Sequence, residues 1–248
     1  MGLFDFFIKK KAQVPVDLSV LKCDVHSHFI PGIDDGAKNI KESVALIKRF
    51  KAWGYQKVIT TPHIMNDYYT NTPDIIQEGL KKVKTALEEQ GVDIQIEAAA
   101  EYLSDDGLPG KIAQKNILAF GKKYLLFELP FLEEPLTVKN IIFQIQTSGF
   151  VPVLAHPERY MYWHKSFNKY VELKERGVLF QMNITSLSGH YSPEVQKTAY
   201  KLINEKMIDF AGSDCHNFNH IDLIEQTRTN PYLHKLVESG MLRNPQLL

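Results

Sequence analysis

Residues 24–28 read Asp-Val-His-Ser-His and end a segment, Leu21 to His28, whose composition predicts a β-strand. Alternate side chains of a strand point to the same face, so His26 and His28 are expected to lie side by side. Two imidazoles on one face can bind one metal ion. Asp24 shares that face and is predicted to orient one of the imidazoles. This stretch therefore predicts a metal site at the end of a strand.

Other potential metal ligands stand at or just after the ends of further predicted strands. They are Asp35, His63, Glu101, Glu128, His156, Asp214 and His216. Glu128 lies inside an otherwise apolar strand, where an unpaired carboxylate would be costly, and either a metal ion or a salt bridge would compensate it. Imidazole and carboxylate ligands without thiolate favour zinc, manganese or iron(II). The pattern predicts a metallohydrolase.

Strand and helix signals alternate along the chain. Strands are predicted at 21–28, 57–61, 92 towards 101, 124–129, 151–155, 178–184 and 208–212, and helices after N-caps at Asn39 and Thr72, over 138–145 and over 193–206. Repeated βα units imply a parallel sheet, and ligands at successive C-terminal strand ends favour a closed barrel with one rim. Seven strands predict a distorted relative of the eightfold barrel, with an open doubly wound sheet as the alternative.

Composition limits the class of protein. The 248 residues carry 29 basic and 29 acidic side chains, and this zero net charge makes nucleic acid a poor candidate partner. The two cysteines, Cys23 and Cys215, are too few for a disulfide framework and favour a reduced, cytoplasmic setting. No apolar run approaches the ~20 residues needed to span a bilayer. The single domain is predicted over residues 20–248, after an N-terminal arm over 1–19.

The start of that arm combines apolar residues 3–8 with lysines at 9–11. Two interpretations remain open for it. The arm either packs on the domain or on a partner, or makes weak contact with a membrane surface through its aromatic and basic side chains.

Arg159 lies in the segment Ala155-His156-Pro157-Glu158-Arg159-Tyr160 and is a candidate phosphate ligand, because its planar guanidinium suits phosphate oxygens. A salt bridge at the rim is the alternative role. Other nucleophile schemes fit poorly. Neither cysteine is followed six positions later by the arginine that a cysteine phosphatase needs, and there is no Gly-x-Ser-x-Gly motif.

Taken in order, these motifs resemble the PHP (polymerase and histidinol phosphatase) superfamily over roughly residues 20–225. Gly-Ile-Asp-Asp-Gly-Ala-Lys at 32–38 and His-Pro-Glu-Arg-Tyr at 156–160 look more narrowly like its bacterial manganese-dependent protein tyrosine phosphatases of capsule and exopolysaccharide operons. The resemblance implies a distorted (β/α)7 barrel of the PHP type holding three divalent ions, expected to be Mn2+, with iron or zinc also possible.

The resemblance also implies a division of the ligands. The first ion takes His26, His28, Glu101 and Asp214, the second takes Glu101, Glu128 and His156, and the third takes Asp35, His63 and His216. Many members of the family carry a phosphate-binding arginine a few residues beyond Asp-x-His. Here that stretch reads Asn217-Phe218-Asn219-His220-Ile221, which makes His220 the candidate substitute.

The predicted function is therefore hydrolysis of phosphotyrosine by metal-activated water. The resemblance implies that the substrate is a membrane-associated bacterial tyrosine autokinase that regulates polysaccharide production. The alternatives are a histidinol-phosphate phosphatase or another PHP phosphoesterase, a metal-dependent amidohydrolase, and a non-catalytic regulator that docks on the kinase.

Overall fold

The computed structural model describes residues 14–248. The apolar and basic start of the arm lies outside these residues, so both interpretations of it remain untested. From residue 14 onward the arm contacts the domain: Val16 and Leu18 are buried in the main apolar cluster, and the backbone N–H of Val16 donates to the carbonyl of Arg228 at 2.8 Å.

Within the described part of the chain, nine short strands form two parallel sheets. The strands are β1 (Cys23–Asp24), β2 (Lys57–Thr60), β3 (His63–Ile64), β4 (Gln95–Ala98), β5 (Glu101–Leu103), β6 (Tyr124–Glu128), β7 (Val151–Ala155), β8 (Leu179–Asn183) and β9 (Phe210–Gly212). One sheet has the order β1-β2-β4 and the other β3-β5-β6-β7-β8-β9. All named pairs are parallel. The predicted α/β class with parallel sheets is confirmed.

The prediction of seven strands differs from the nine observed because two strands are interrupted. β2 and β3 are separated by Thr61 and Pro62, and Pro62 has no backbone N–H to donate to a ladder. β4 and β5 are separated by Ala99 and Ala100. Each interruption moves the chain from one sheet to the other.

The first predicted strand is much shorter than expected. A 3-10 turn occupies Leu18–Leu21, and ladder pairing ends at Asp24. The following residues pair with the chain after β9 instead: Ser27 forms a parallel bridge with Cys215, and the N–H of His28 donates to the carbonyl of Cys215 at 3.0 Å. His26 and His28, which were predicted to belong to the first strand, thus lie after its end.

Between residues 14 and 248, eight α-helices cover the sheets. They are α1 (Ile40–Ala52), α2 (Pro73–Glu89), α3 (Leu108–Ala113), α4 (Val138–Thr147), α5 (Asn168–Glu175), α6 (Pro193–Asn204), α7 (Phe218–Thr227) and α8 (Pro231–Glu238). The predicted N-caps are confirmed: the Asn39 side chain accepts from the N–H of Glu42, and that of Thr72 accepts from the N–H of Ile75. Within residues 14–248, no helix has the length and apolarity that crossing a bilayer requires.

The apolar core has two parts. The larger cluster lies between helices and strands and includes Phe50 of α1, Phe127 of β6 and Phe180 of β8. The smaller cluster draws its members from successive strands and the segment after β4: Cys23, Ile59, Ala99, Leu126, Val153, Leu179 and Phe210. Because neighbouring strand residues point to opposite faces, one face of the strands packs on helices and the other on itself.

Candidate metal centre

All nine predicted ligands converge at one end of the sheets. Seven of them line a cavity of about 360 Å³, together with Met65, Tyr69, Phe131, Arg159, Tyr191, Asn217 and His220. His26 and His28 lie fully buried against the other seven. The cluster forms because side chains at the C-terminal ends of parallel strands point to one edge.

Glu101, at the start of β5, is the centre of the cluster. Its Oε2 lies 3.3 Å from Nε2 of His26 and 3.1 Å from Nδ1 of His63. Its Oε1 lies 3.0 Å from Nε2 of His156. The carboxylate is fully buried. Because its two oxygens contact different histidines, it connects His26 and His63 to His156.

Asp214 holds the inner side of the cluster. Its Oδ1 lies 3.4 Å from Nε2 of His26 and 3.5 Å from Nε2 of His28. These three residues form one compact group of donors. The backbone N–H of Asp214 donates a hydrogen bond of 2.8 Å to the carbonyl of His26, which positions the backbone of Asp214.

The outer side is formed by the half-exposed Asp35, whose Oδ1 lies 3.5 Å from Nε2 of His63 and 3.3 Å from Nε2 of His216. Glu128 closes the remaining side: its Oε1 is 3.2 Å from Nδ1 of His63, and its Oε2 is 3.7 Å from Nε2 of His156.

Several of the imidazole nitrogens and carboxylate oxygens that could bind metal face one another without forming hydrogen bonds. Nδ1 of His63, Oε2 of Glu101 and Oε1 of Glu128 are buried and have no hydrogen-bond partner among the described residues. Buried polar atoms without partners are costly. Ligands at about 2.0–2.2 Å from one ion are themselves roughly 3–3.5 Å apart, as these donors are. The donors thus fit divalent cations, and their nitrogen and oxygen chemistry fits manganese, iron or zinc.

The charges of the cluster shift its pKa values strongly. Burial alone would lower the pKa of His26, but the carboxylates of Glu101 and Asp214 outweigh it and raise the pKa to about 10. In the same way burial opposes ionisation of Glu101 and Asp214, yet the neighbouring histidines hold the pKa of both carboxyls well below their usual range. Without metal, the histidines and carboxylates of the cluster therefore form a network of ion pairs.

Two candidate ligands adopt left-handed backbone conformations. His156, directly after β7, has φ of 34°, and Asp214, two residues after β9, has φ of 49°. Such conformations are unfavourable for residues with a Cβ and are concentrated at functional sites. They turn the chain sharply at the strand ends and aim both side chains into the cluster.

The imidazoles are oriented by residues other than the one predicted. Asp24 accepts from the N–H and the Oγ of Ser213 at 2.9 and 2.8 Å, so the prediction that it orients an imidazole is wrong. Instead Nδ1 of His26 lies 2.6 Å from Oε1 of Gln181. Nδ1 of His28 lies 2.8 Å from Oδ2 of Asp34.

Arg159 lies on the cavity wall between two aromatic rings. Its guanidinium is 4.5 Å from the ring centre of Phe131 and 4.3 Å from that of Tyr191. Its Nη1 donates to Oδ2 of Asp214 at 3.2 Å. The predicted phosphate ligand thus borders the candidate metal ligands and is held flat by stacking.

His220 belongs to the first turn of α7 and lines the same cavity. Its Nδ1 lies 2.9 Å from the carbonyl of Asp214 and 3.3 Å from the N–H of His216. Burial lowers its pKa. Its position on the cavity wall is the one that the candidate role as a phosphate ligand requires.

Five residues of the site escaped the sequence analysis. They are Asp34, Phe131, Gln181, Asn183 and Tyr191. Asp34 is adjacent to the selected Asp35, and the aspartate pair gave no sign of which member would enter the cavity. Gln181 and Asn183 alternate on a predicted strand, which is the signal that could have placed them on one face.

The fold and the cluster define an α/β protein with a candidate multinuclear metal centre at the C-terminal ends of its strands. The chain belongs to the family described as capsular polysaccharide synthesis, CpsB/CapC, which it matches over residues 22–236. The predicted family is confirmed.

Two curated relatives and one solved structure give the closer comparison. The chain is 28% identical to the putative tyrosine-protein phosphatase CapC of Staphylococcus aureus, over 79% of this chain and 78% of the relative. It is 27% identical to the tyrosine-protein phosphatase YwqE of Bacillus subtilis, over 78% and 77%. It superposes with a TM-score of 0.77 and 25% identity, over 90% of this chain and 94% of the other, on a structure from the work on YwqE and on CpsB of Streptococcus pneumoniae, which are metal-dependent tyrosine phosphatases.

Proposed function

We propose that this chain is a metal-dependent protein-tyrosine phosphatase that hydrolyses phosphotyrosine with a metal-activated water. The observation that carries the proposal is the convergence of nine imidazole and carboxylate side chains on one cavity that also holds Arg159. The curated relatives are tyrosine-protein phosphatases by name, which agrees with the predicted activity.

The proposed ligand sets are those implied by the resemblance. His26, His28, Glu101 and Asp214 would hold the first ion. Glu101, Glu128 and His156 would hold the second, and Asp35, His63 and His216 the third. Glu101 is supported as the bridging ligand by its two oxygens, which face different histidines.

Some compact donor groups cut across this division. His28 also groups with Asp35, His63 and His216, and His63 also groups with Glu101 and Glu128. Manganese is the proposed metal, and iron or zinc would use the same donors. Cys23 and Cys215 are buried, and burial raises the pKa of both thiols, which agrees with a site without thiolate.

When bound, the ions would neutralise phosphate charge and bring the pKa of a water molecule towards ~7. Arg159 would bind a phosphate oxygen, since its guanidinium borders the cavity and is oriented by Phe131 and Tyr191. His220 would be a second contact for the phosphate, because its imidazole lines the same cavity. Phenolate, with a pKa near ~10, needs little protonation on leaving, so the scheme needs no strong general acid.

For the fold, we propose that the two sheets form one distorted (β/α)7 barrel of the PHP type. The interrupted pairs β2/β3 and β4/β5 would each count as one strand. The Ser27–Cys215 bridge supports closure between the first and last strands, and the apolar cluster drawn from successive strands supports a filled interior.

The domain is proposed to span residues 20–248, with residues 1–19 as the arm. The proposed substrate is a phosphotyrosine-containing protein, specifically a membrane-associated tyrosine autokinase that regulates capsule or exopolysaccharide production, and the proposed location is the cytoplasm. The arm is the candidate for weak contact with a membrane surface.

The function is tested with protein stripped of metal by EDTA. Phosphotyrosine peptide hydrolysis should be lost after stripping and restored by Mn2+, with Zn2+ and Fe2+ as comparisons. Histidinol phosphate is assayed in parallel, because a histidinol-phosphate phosphatase would keep the same ligands. Hydrolysis that survives chelation, or a preference for histidinol phosphate, would contradict the proposal.

A matched pair of histidine variants separates catalysis from docking. His26→Ala should lose phosphotyrosine hydrolysis, whereas His234→Ala, on α8 and paired only with Glu238 at 3.9 Å, should keep it. If His26→Ala bound metal poorly yet kept full function in cells, the chain would act as a non-catalytic regulator.

A further inference from the structure

Strand β8 contributes none of the nine candidate ligands, yet two of its buried side chains reach the cluster. Gln181 and Asn183 alternate along β8 and therefore lie on one face. Both are fully buried. Gln181 contacts His26, and Asn183 contacts Asp214. The two residues that they contact, His26 and Asp214, belong with His28 to one compact group of candidate metal ligands.

The hydrogen bonds are donated in one direction, from His26 through Gln181 and Asn183 to Asp214. A carboxylate can only accept, so Asn183 presents its Nδ2 to Oδ2 of Asp214, at 2.6 Å. The Oδ1 of Asn183 then accepts from Nε2 of Gln181 at 3.0 Å. The Oε1 of Gln181 is left to accept from Nδ1 of His26 at 2.6 Å. The amide pair thus requires the proton on Nδ1 and directs Nε2 of His26 into the cluster.

The same chain selects which oxygen of Asp214 faces the cluster. Oδ2 accepts from Asn183 and from Arg159. Oδ1 is left to face Nε2 of His26 at 3.4 Å and Nε2 of His28 at 3.5 Å. The amide pair therefore leaves Nε2 of His26 and Oδ1 of Asp214 facing each other, where both could bind the same ion.

The neighbouring strand leaves room for this arrangement at Gly212. A Cβ at that position would lie 2.5 Å from Nε2 of Gln181 and 2.8 Å from Cβ of His26. Gly212 is paired in register with Asn183 across the β8–β9 ladder. A side chain at residue 212 would displace the amide pair from His26.

We propose that Gln181 and Asn183 are positioning residues that act as one hydrogen-bonded unit, holding His26 and Asp214 in the geometry that binds one ion of the centre. This inference rests on the metal centre of the proposed function. Partners that orient a metal-ligating histidine typically change metal affinity about 10- to 100-fold when they are removed.

The test measures metal directly, by dialysis of EDTA-stripped protein against buffered Mn2+ and counting of bound ions by mass spectrometry. Gln181→Met and Asn183→Leu should each weaken retention of one ion per chain about 10- to 100-fold and leave the other ions bound. Since the residues act as a unit, the double variant should lose little more than either single variant. Asn183→Ala, which removes the donated hydrogen bond without adding bulk or charge, covers the case in which Asn183→Leu fails to fold.

Gln196→Met is the matched control, because Gln196 donates to the carbonyl of Leu187 away from the cluster. It should lose a hydrogen bond and keep every ion. Wild-type Mn2+ affinity in the Gln181 and Asn183 variants, or additive losses of affinity in the double variant, would overturn this inference and leave the metal centre standing. Wild-type protein that binds no Mn2+, Fe2+ or Zn2+ would overturn the metal centre itself.

Discussion

At the scale of single residues, Arg159 shows how a side chain becomes selective through its surroundings. Its charge is usual for a phosphate ligand, but its plane is set by Phe131 on one side and Tyr191 on the other. A guanidinium stacks on rings in a way that an ammonium cannot. Arg159 lines the cavity, and its contacts with the two rings restrict the guanidinium before any substrate arrives.

We therefore expect Arg159→Lys to raise the KM for a phosphotyrosine peptide about tenfold or more, as loss of a charge-assisted hydrogen bond of about 1.5 kcal/mol implies. The number of bound ions should stay unchanged. Steady-state kinetics and metal analysis check both points. The surface variant Arg176→Lys, whose partner is Glu172, should leave KM unaltered. An unchanged KM in Arg159→Lys would exclude Arg159 from substrate binding.

At the scale of elements, local signals placed the starts of α1 and α2 correctly because a cap is a contact between near neighbours in the chain. Thr72 caps α2 and is followed by Pro73 in the first turn, where a missing N–H is harmless. Strand ends were less predictable, because their limits depend on which distant strand supplies the next hydrogen bond.

Thr72→Ala should destabilise the protein by about 1 kcal/mol, since the N–H of Ile75 loses its acceptor. Urea denaturation measures the change. Thr137→Ala is the matched control: Thr137 precedes α4 but makes no side-chain capping bond, so its loss should stay within about 0.5 kcal/mol. Equal losses at both sites would show that the Thr72 cap contributes nothing specific.

At the scale of the whole molecule, the first and last strands are tied at both ends of the fold. The Ser27–Cys215 bridge lies beside the cluster. At the other end the buried side chain of Asn244 accepts from the N–H of Ala211 at 3.0 Å and donates to the carbonyls of Cys23 and Ala211 at 2.9 and 2.7 Å. One side chain thus joins β1 to β9.

Asn244→Ala should cost about 2–3 kcal/mol, because it removes three buried hydrogen bonds and leaves their backbone partners unsatisfied. Thermal or urea unfolding provides the measurement. Asn204→Ala, which removes an exposed contact with Lys235, should cost less than about 0.5 kcal/mol. A loss at Asn244 no larger than the loss at Asn204 would rule out its role as a tie.

The stability of the metal-free protein should depend on pH in both directions. The lowered pKa values of Glu101, Asp214 and Asp35, the last at about 2, give stability above the unfolded values near ~4 that is lost as pH falls. The pKa of His26, raised to about 10, gives stability that is complete below ~6.5 and is lost as pH rises. Burial raises the pKa of Asp24 to about 7, so this carboxyl lowers stability progressively as pH rises from ~4 to ~7.

Urea midpoints in EDTA should therefore be highest at about pH 5, where the lowered carboxyls are ionised and the losses from Asp24 and His26 are still small. Saturating Mn2+ should remove the alkaline decline, because metal binding requires deprotonated imidazoles. The His234→Ala variant should give the wild-type profile, since His234 lies outside the cluster. A flat profile in EDTA would show that the cluster is not ionised as described.

The sequence by itself determined the inventory of candidate ligands, their order along the chain, the α/β class and the starts of α1, α2, α4 and α6. These follow from residue chemistry and from contacts within a few positions. The tertiary structure alone decided which donor atoms face each other and what orients them. His26 and Gln181 are 155 residues apart, and Asn183 and Asp214 are 31 apart. A short range of sequence carries no signal for such contacts, because they arise only when parallel strands from distant parts of the chain pack side by side.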